Sequence, residues 1–209
     1  MDGISTFLGL FCHQLPERSP VFYNTIVFPL CFRCAGLYLG FFCGYLYLGL
    51  GGGWRRRFPS LGVAIAVSFC TMPLWLDGWG NVLHLWSSPG WLRGLTGLSL
   101  GIALPFLILP LAQPLARITA LELKPTISRP MGLLGPFLLG LPALGLLVEP
   151  VSPISFDLLA LVAGAGLASF LVNFALAGIQ LVWRDNKSLE GSDGPYLHKL
   201  FTTGLRFRG

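Results

Sequence analysis

The residues able to do coordination, redox or acid–base chemistry fall in two short stretches of this 209-residue chain. The first, Phe11 to Gly40, reads FCHQLPERSPVFYNTIVFPLCFRCAGLYLG and holds three of the five cysteines, one of the three histidines and two arginines. The second carries Asp77, Asn81, His84 and Arg93. Cys31 and Cys34 form a CxxC pair whose i, i+3 spacing puts both sulfurs on one face of a helix, which suits joint metal ligation or a reversible disulfide. Cys12 and His13 complete a set of three thiolates and one imidazole, a tetrahedral donor set that zinc or another soft-to-borderline transition metal accepts. Neighbours in sequence rarely both reach one ion, so His84 or Asp77 competes for the last position.

The same sulfurs admit two other uses. In an oxidising compartment Cys31 and Cys34 could cycle between dithiol and disulfide, with Arg33 and a helix N-terminus lowering a thiol pKa and Cys12 as resolving partner. That logic is analogous to quinone-linked membrane thiol oxidoreductases. Alternatively, a permanent disulfide ties the N-terminal segment to the helix that follows. Zinc or another transition metal is the expected cofactor, and a quinone or haem stays open. Cys43 and Cys70 sit inside apolar runs and read as small apolar residues.

The elements that must position these groups belong to a membrane. The hydrophobic fraction is 54% and only 11% of residues are charged, against about a quarter in soluble domains. Apolar runs at Leu30 to Leu50, Ser60 to Leu76, Leu95 to Ala116, Pro130 to Val148 and Asp157 to Val182 predict an all-α, polytopic bundle of five spans in a single membrane domain, residues 1–183. Ile4 to Cys12 is too short to cross and reads as an interfacial or re-entrant helix. It lacks the basic start of a secretory signal peptide. Residues 184–209 form a polar tail.

Charge sets the expected topology. With the first span entering from outside, inner segments hold 11 Lys and Arg and outer ones only Arg18, Arg33 and Arg93. The N-terminal segment is therefore expected outside and the C-terminus in the cytoplasm, in a prokaryotic inner or thylakoid-type membrane. Trp75, Trp79, Trp86 and Trp91 mark the outer boundary, and Trp54 and Trp183 the inner one. The formal net charge of +5 then reflects topology, which excludes nucleic acid as a partner and leaves membrane lipids and other membrane subunits. Gly36, Gly40 and Gly44, and likewise Ala160, Gly164 and Ala168, recur every four residues and predict helix contacts. Prolines 105, 110, 114, 136 and 142 predict kinks.

In this topology the two chemically able stretches converge on the outer face. Arg18, Arg33 and Arg93 run against the inside bias for positive charge. Together with Asp77 they are candidate binding residues for a carboxylate or phosphate, including a lipid headgroup.

Cys12-His13-Gln14 with Pro16-Glu17-Arg18-Ser19, followed by Leu30 to Gly40 with its Cys-Phe-Arg-Cys, resembles an uncharacterised family of prokaryotic membrane proteins known only as a domain of unknown function. Pro73 to Gly78 and Arg93 to Gly97 are similar to its Pro-x-x-x-Asp-Gly and Arg-x-x-Thr-Gly stretches. The resemblance covers the first half of the chain and implies a shared multi-span fold and polar site, with no activity attached.

Three functions follow as expectations. The first is a metal-site protein acting on or carrying a small anionic or lipid-like substrate. The second is a membrane thiol–disulfide oxidoreductase, and the third a structural subunit of a larger complex. The topology has its own test: a green fluorescent protein fused after Gly209 is expected to fluoresce, and alkaline phosphatase fused there to be inactive. The reverse pair of results overturns the orientation.

Overall fold

The computed structural model of the chain describes residues 6, 8, 10–12, 18–22, 26–50, 61–111, 130–149 and 153–191. Among these are five helices: α1 (Phe32–Leu50), α2 (Leu61–Val82), α3 (Gly90–Leu111), α4 (Leu134–Val148) and α5 (Pro153–Gly191). One 3-10 turn, Pro130–Leu133, leads into α4. A two-stranded antiparallel hairpin, β1 (Val21–Phe22) with β2 (Ile26–Val27), precedes α1. All-α is thus the fold class, and the hairpin is an addition that periodicity did not reveal, because two residues per strand are too few to alternate visibly.

The elements follow the five expected spans with shifted ends. Leu61–Val82, Gly90–Leu109 and Ile154–Val182 are long and apolar enough to cross a membrane, and α4 is apolar but shorter. Large apolar side chains such as Phe69, Trp75, Leu138, Leu161 and Phe174 face outward, as lipid contact requires. α1 is the central helix, packed most extensively on α3 and also on α4 and α5. Its Gly and Tyr content suits a helix surrounded by protein.

α2 runs six residues beyond the expected end at Leu76, and α3 begins five residues earlier than expected. Asp77 and Asn81 therefore lie in α2 and Arg93 in α3, leaving His84 as the member of that group in the connecting turn. A run of apolar residues ends where polarity begins, whereas the hydrogen-bond ladder continues into the interface. α5 likewise starts at Pro153 and continues through Gly191, 39 residues or about 58 Å, well beyond the roughly 30 Å of hydrocarbon. The start of the expected tail is consequently helical, and residues 192–209 lie outside the described residues. So do Trp54, Pro114, residues 4, 5, 7 and 9 of the Ile4 to Cys12 segment, and the side chain of Trp183.

Glycine decides how α1 meets α3. A Cβ at Gly36 would overlap the carbonyl oxygen of Gly94, and one at Gly40 that of Leu98; one at Gly44 would come within 3.0 Å of Ile102 O. Reciprocally, Gly97 lies on the backbone carbonyl of Arg33, and Gly101 on that of Leu37. In lipid, where burying apolar surface gives helices no drive to associate, such backbone proximity supplies the packing.

The expected contact stripe of α5 is different. Gly164 has open space at its Cβ position and Ala168 is exposed. Ala160 alone of that stripe is buried, together with Ala163 and Leu167, and Gly166 rests on the carbonyl of Tyr38. Small residues at four-residue spacing occur on both faces of α5, so spacing alone did not select the face.

At the end of the bundle where α1 starts, Phe22 and Phe28 of the hairpin pack on Phe156 of α5, with ring centroids 5.1 and 5.4 Å from it. This clamp holds the chain entering α1. A direct check of the α1–α3 contact is thermal unfolding in detergent: Gly101→Val is expected to lose about 2–3 kcal/mol by overpacking, while Gly164→Val stays within about 0.5 kcal/mol.

Candidate functional site

The cysteines of the first stretch come together. Cys12, Cys31 and Cys34 place their sulfurs within 4.8 Å of one another, all half-buried, and all three are free thiols. Cys31 stands one residue ahead of α1 and its carbonyl accepts the helix's opening hydrogen bond from Ala35 N, at 2.9 Å. Its own amide donates to Cys12 Sγ at 3.2 Å, so the N-terminal segment caps the helix with a sulfur. The positive end of the α1 dipole points at this group.

The Cys31 thiol is held down to about 5, chiefly by the hydrogen bond it receives from the Cys34 thiol. Burial opposes this, and the Cys34 amide, the Cys12 thiol and the Arg33 amide assist. First-turn amides directed at a sulfur are the usual means of stabilising a thiolate.

His13 lies outside the described residues. The competing fourth ligands are not brought to the sulfurs: among the described residues the cluster contains neither His84 nor Asp77. His84 is exposed, with a left-handed φ of 55°. It occupies the residue after the cap of α2, where Leu85 N bonds Gly80 O at 2.9 Å and His84 N bonds Asn81 O at 3.4 Å. This is the closing pattern of a helix that ordinarily uses glycine.

The closing turn has a purpose in the site. It folds Trp86 onto Gly80, where any Cβ would collide with the indole, and returns the chain so that Ser88 meets α2. Asp77 is there, 5% exposed, accepting hydrogen bonds from Arg33 Nη2 and Ser88 Oγ and from Asn81 Nδ2 at 3.0 Å. Asn81 also donates to Ser88 Oγ at 2.9 Å and accepts from Arg93 Nη2 at 2.9 Å. One buried carboxylate and one amide thereby tie α1, α2 and α3 together.

Arg33 and Arg93, both candidate anion binders, are therefore network members first. Arg33 keeps 30% of its side chain exposed, and the Nε atoms of Arg33 and Arg93 are buried with no hydrogen-bond acceptor among the described residues. Arg18 is exposed and acts on Arg93 through space, as do Arg33 and the opposite charges of Asp77 and Cys31. Asn81 and Ser88 are the functional residues that sequence reasoning missed as partners. Their four- and eleven-residue separations from Asp77 would have marked them only once α2 was known to extend through Val82.

Comparison with known proteins bears on the same half of the chain. Residues 12–107 match the family described as "Predicted membrane protein (DUF2085)". A stretch of 72 residues is 35% identical to an uncharacterized protein of Methanothermobacter thermautotrophicus, covering 34% of this chain. The match spans 60% of that relative's length. No solved structure matches. The matched region contains all three clustered cysteines, Asp77 and the Arg33–Arg93 network. Over residues 12–107 the chain is thus similar to a family described as predicted membrane proteins.

Proposed function

We propose that this membrane protein holds a metal ion through Cys12, Cys31 and Cys34, with His13 as fourth donor, and acts on or carries a small anionic or lipid-like substrate. One observation carries the reading: three sulfurs from two separate segments lie within 4.8 Å of one another. Thiolates at 2.3 Å from a tetrahedral zinc stand about 3.8 Å apart, so the thiols need to close by only about 1 Å. The donor chemistry therefore fits zinc or another soft-to-borderline ion. When bound, such an ion supplies Lewis acidity beside the arginines.

The chain's own residues do the rest. The Cys34 and Arg33 amides stabilise the Cys31 thiolate and the Cys31 amide donates to the Cys12 sulfur, while the Asp77 network fixes Arg33 and Arg93, and Arg18 extends the positive face toward solvent. The bias of 11 basic residues against 3 supports placing this end outside, in the oxidising compartment.

A thiol–disulfide exchange role has one observation in its favour, the thiol of Cys31 lowered to about 5 with Cys34 as its hydrogen-bond donor. In that reading the Cys31 thiolate and the Cys34 thiol give two electrons and one proton to a quinone-class acceptor as their disulfide forms, and the second proton comes from solvent.

Elemental analysis of the purified full chain separates the two. About one equivalent of metal is expected, falling to background in Cys31→Ser and Cys34→Ser. Cobalt substitution should give sulfur-to-metal charge-transfer bands that the same variants lose. Unmodified protein free of metal would sink the metal reading, and thiols whose labelling is the same before and after reduction would sink the exchange reading.

A further inference from the structure

Among the described residues, charge does not balance where α1, α2 and α3 meet. Arg18, Arg33 and Arg93 act on one another or on the same Asp77, and Asp77 is the one carboxylate among the described residues that acts on Arg93. Glu149 and Asp157 are exposed. Three guanidinium groups against the Asp77 carboxylate and the Cys31 thiolate leave one positive charge among the described residues. A divalent ion held by three thiolates carries one negative charge, so one positive charge still remains when the metal site is filled.

The hydrogen-bond inventory has a gap of the same kind. Arg33 and Arg93 each spend one Nη2 on the network, on Asp77 and Asn81 respectively, while both Nε–H groups lack an acceptor among the described residues. A buried donor left unpaired is costly, and an incoming acceptor relieves that cost. Guanidinium forks meet oxygens pairwise, and a phosphate group offers several on one centre. A carboxylate has only two oxygens to divide between two arginines and Arg18.

The surroundings favour a group at the lipid boundary. Trp75, Trp79, Trp86 and Trp91 are all about half or more exposed, on the end of α2, the connecting turn and the start of α3, the elements that carry Asp77, Asn81 and Arg93. Indoles settle at headgroup depth.

We infer that Arg18, Arg33 and Arg93 form a binding site for a phosphate group, next to the three thiols. The inference rests on the proposed function in part, since it names the class of its anionic substrate, yet its arginines are separable from the thiols. The phosphate belongs either to a lipid headgroup or to a free phosphate ion, and the chemistry of recognition is shared.

Two probes distinguish these sources in the full chain purified in detergent. Inorganic phosphate is titrated calorimetrically, and native mass spectrometry follows retention of phosphatidylglycerol added in micelles. Retention of the lipid with no heat from inorganic phosphate assigns a headgroup; binding of inorganic phosphate assigns the free ion. In either case Arg18→Gln, which changes an exposed side chain, is expected to weaken binding about tenfold. Arg93→Lys, which keeps the charge and removes the fork, should weaken it at least as much.

The inference is overturned if the unmodified protein binds neither probe, or if both variants bind as well as it does. Repeating the measurement on Cys12→Ser separates the two readings. Loss of metal with phosphate binding retained leaves the phosphate site standing by itself, whereas metal-loaded protein that takes no phosphate overturns this inference alone.

Discussion

The closeness of the α1 and α3 backbones is the constraint on which the other arrangements depend. At Gly36, Gly40, Gly97 and Gly101 no side chain stands between the two helices, so the carbonyls of Gly94, Leu98, Arg33 and Leu37 lie against the other helix's backbone. Because Gly97 rests on the Arg33 carbonyl, the packing begins at the turn that carries Cys31, Arg33 and Cys34. Any residue larger than glycine there would displace the start of α1 and with it two of the three thiols. Site geometry and bundle geometry are one problem in this chain.

The polar network solves a different difficulty. A buried carboxylate at the edge of an apolar bundle is costly unless its charge and lone pairs are met. Asp77 meets both needs with one charged and two neutral donors. The peripheral helix α2 is largely turned to lipid, with 17% of its spanning window buried, so this network contributes specificity where apolar contact is sparse. Thr96, Ser99 and Asn173 are satisfied within their own helices, on Arg93 O, Leu95 O and Ser169 O.

Much of this was legible in composition and spacing. The five helices, the glycine stripe of α1, and the convergence of Cys12 with Cys31 and Cys34 could be read because hydropathy, small-residue period and donor type each report on one local requirement. What escaped were features set by partners. The inward face of α5 depends on where Tyr38 lies, and both faces of that helix offered small residues. Asp77 reads as an interfacial marker until α2 is seen to continue past it, when it becomes the centre of a network. The hairpin is held by Phe22, Phe28 and Phe156, three rings brought together across more than 120 positions of chain, a relation no local pattern encodes.

The three-ring clamp also determines when the thiol cluster exists. Cys31 and Cys34 are neighbours as soon as α1 forms, but Cys12 must return across 19 residues to accept the Cys31 amide. Closing a loop of that length costs entropy that local contacts must offset. The hairpin shortens the free path, and its docking on α5 fixes both ends. A two-sulfur site is thus a property of one helix, and the third sulfur reports that the first and last parts of the membrane domain have already found each other.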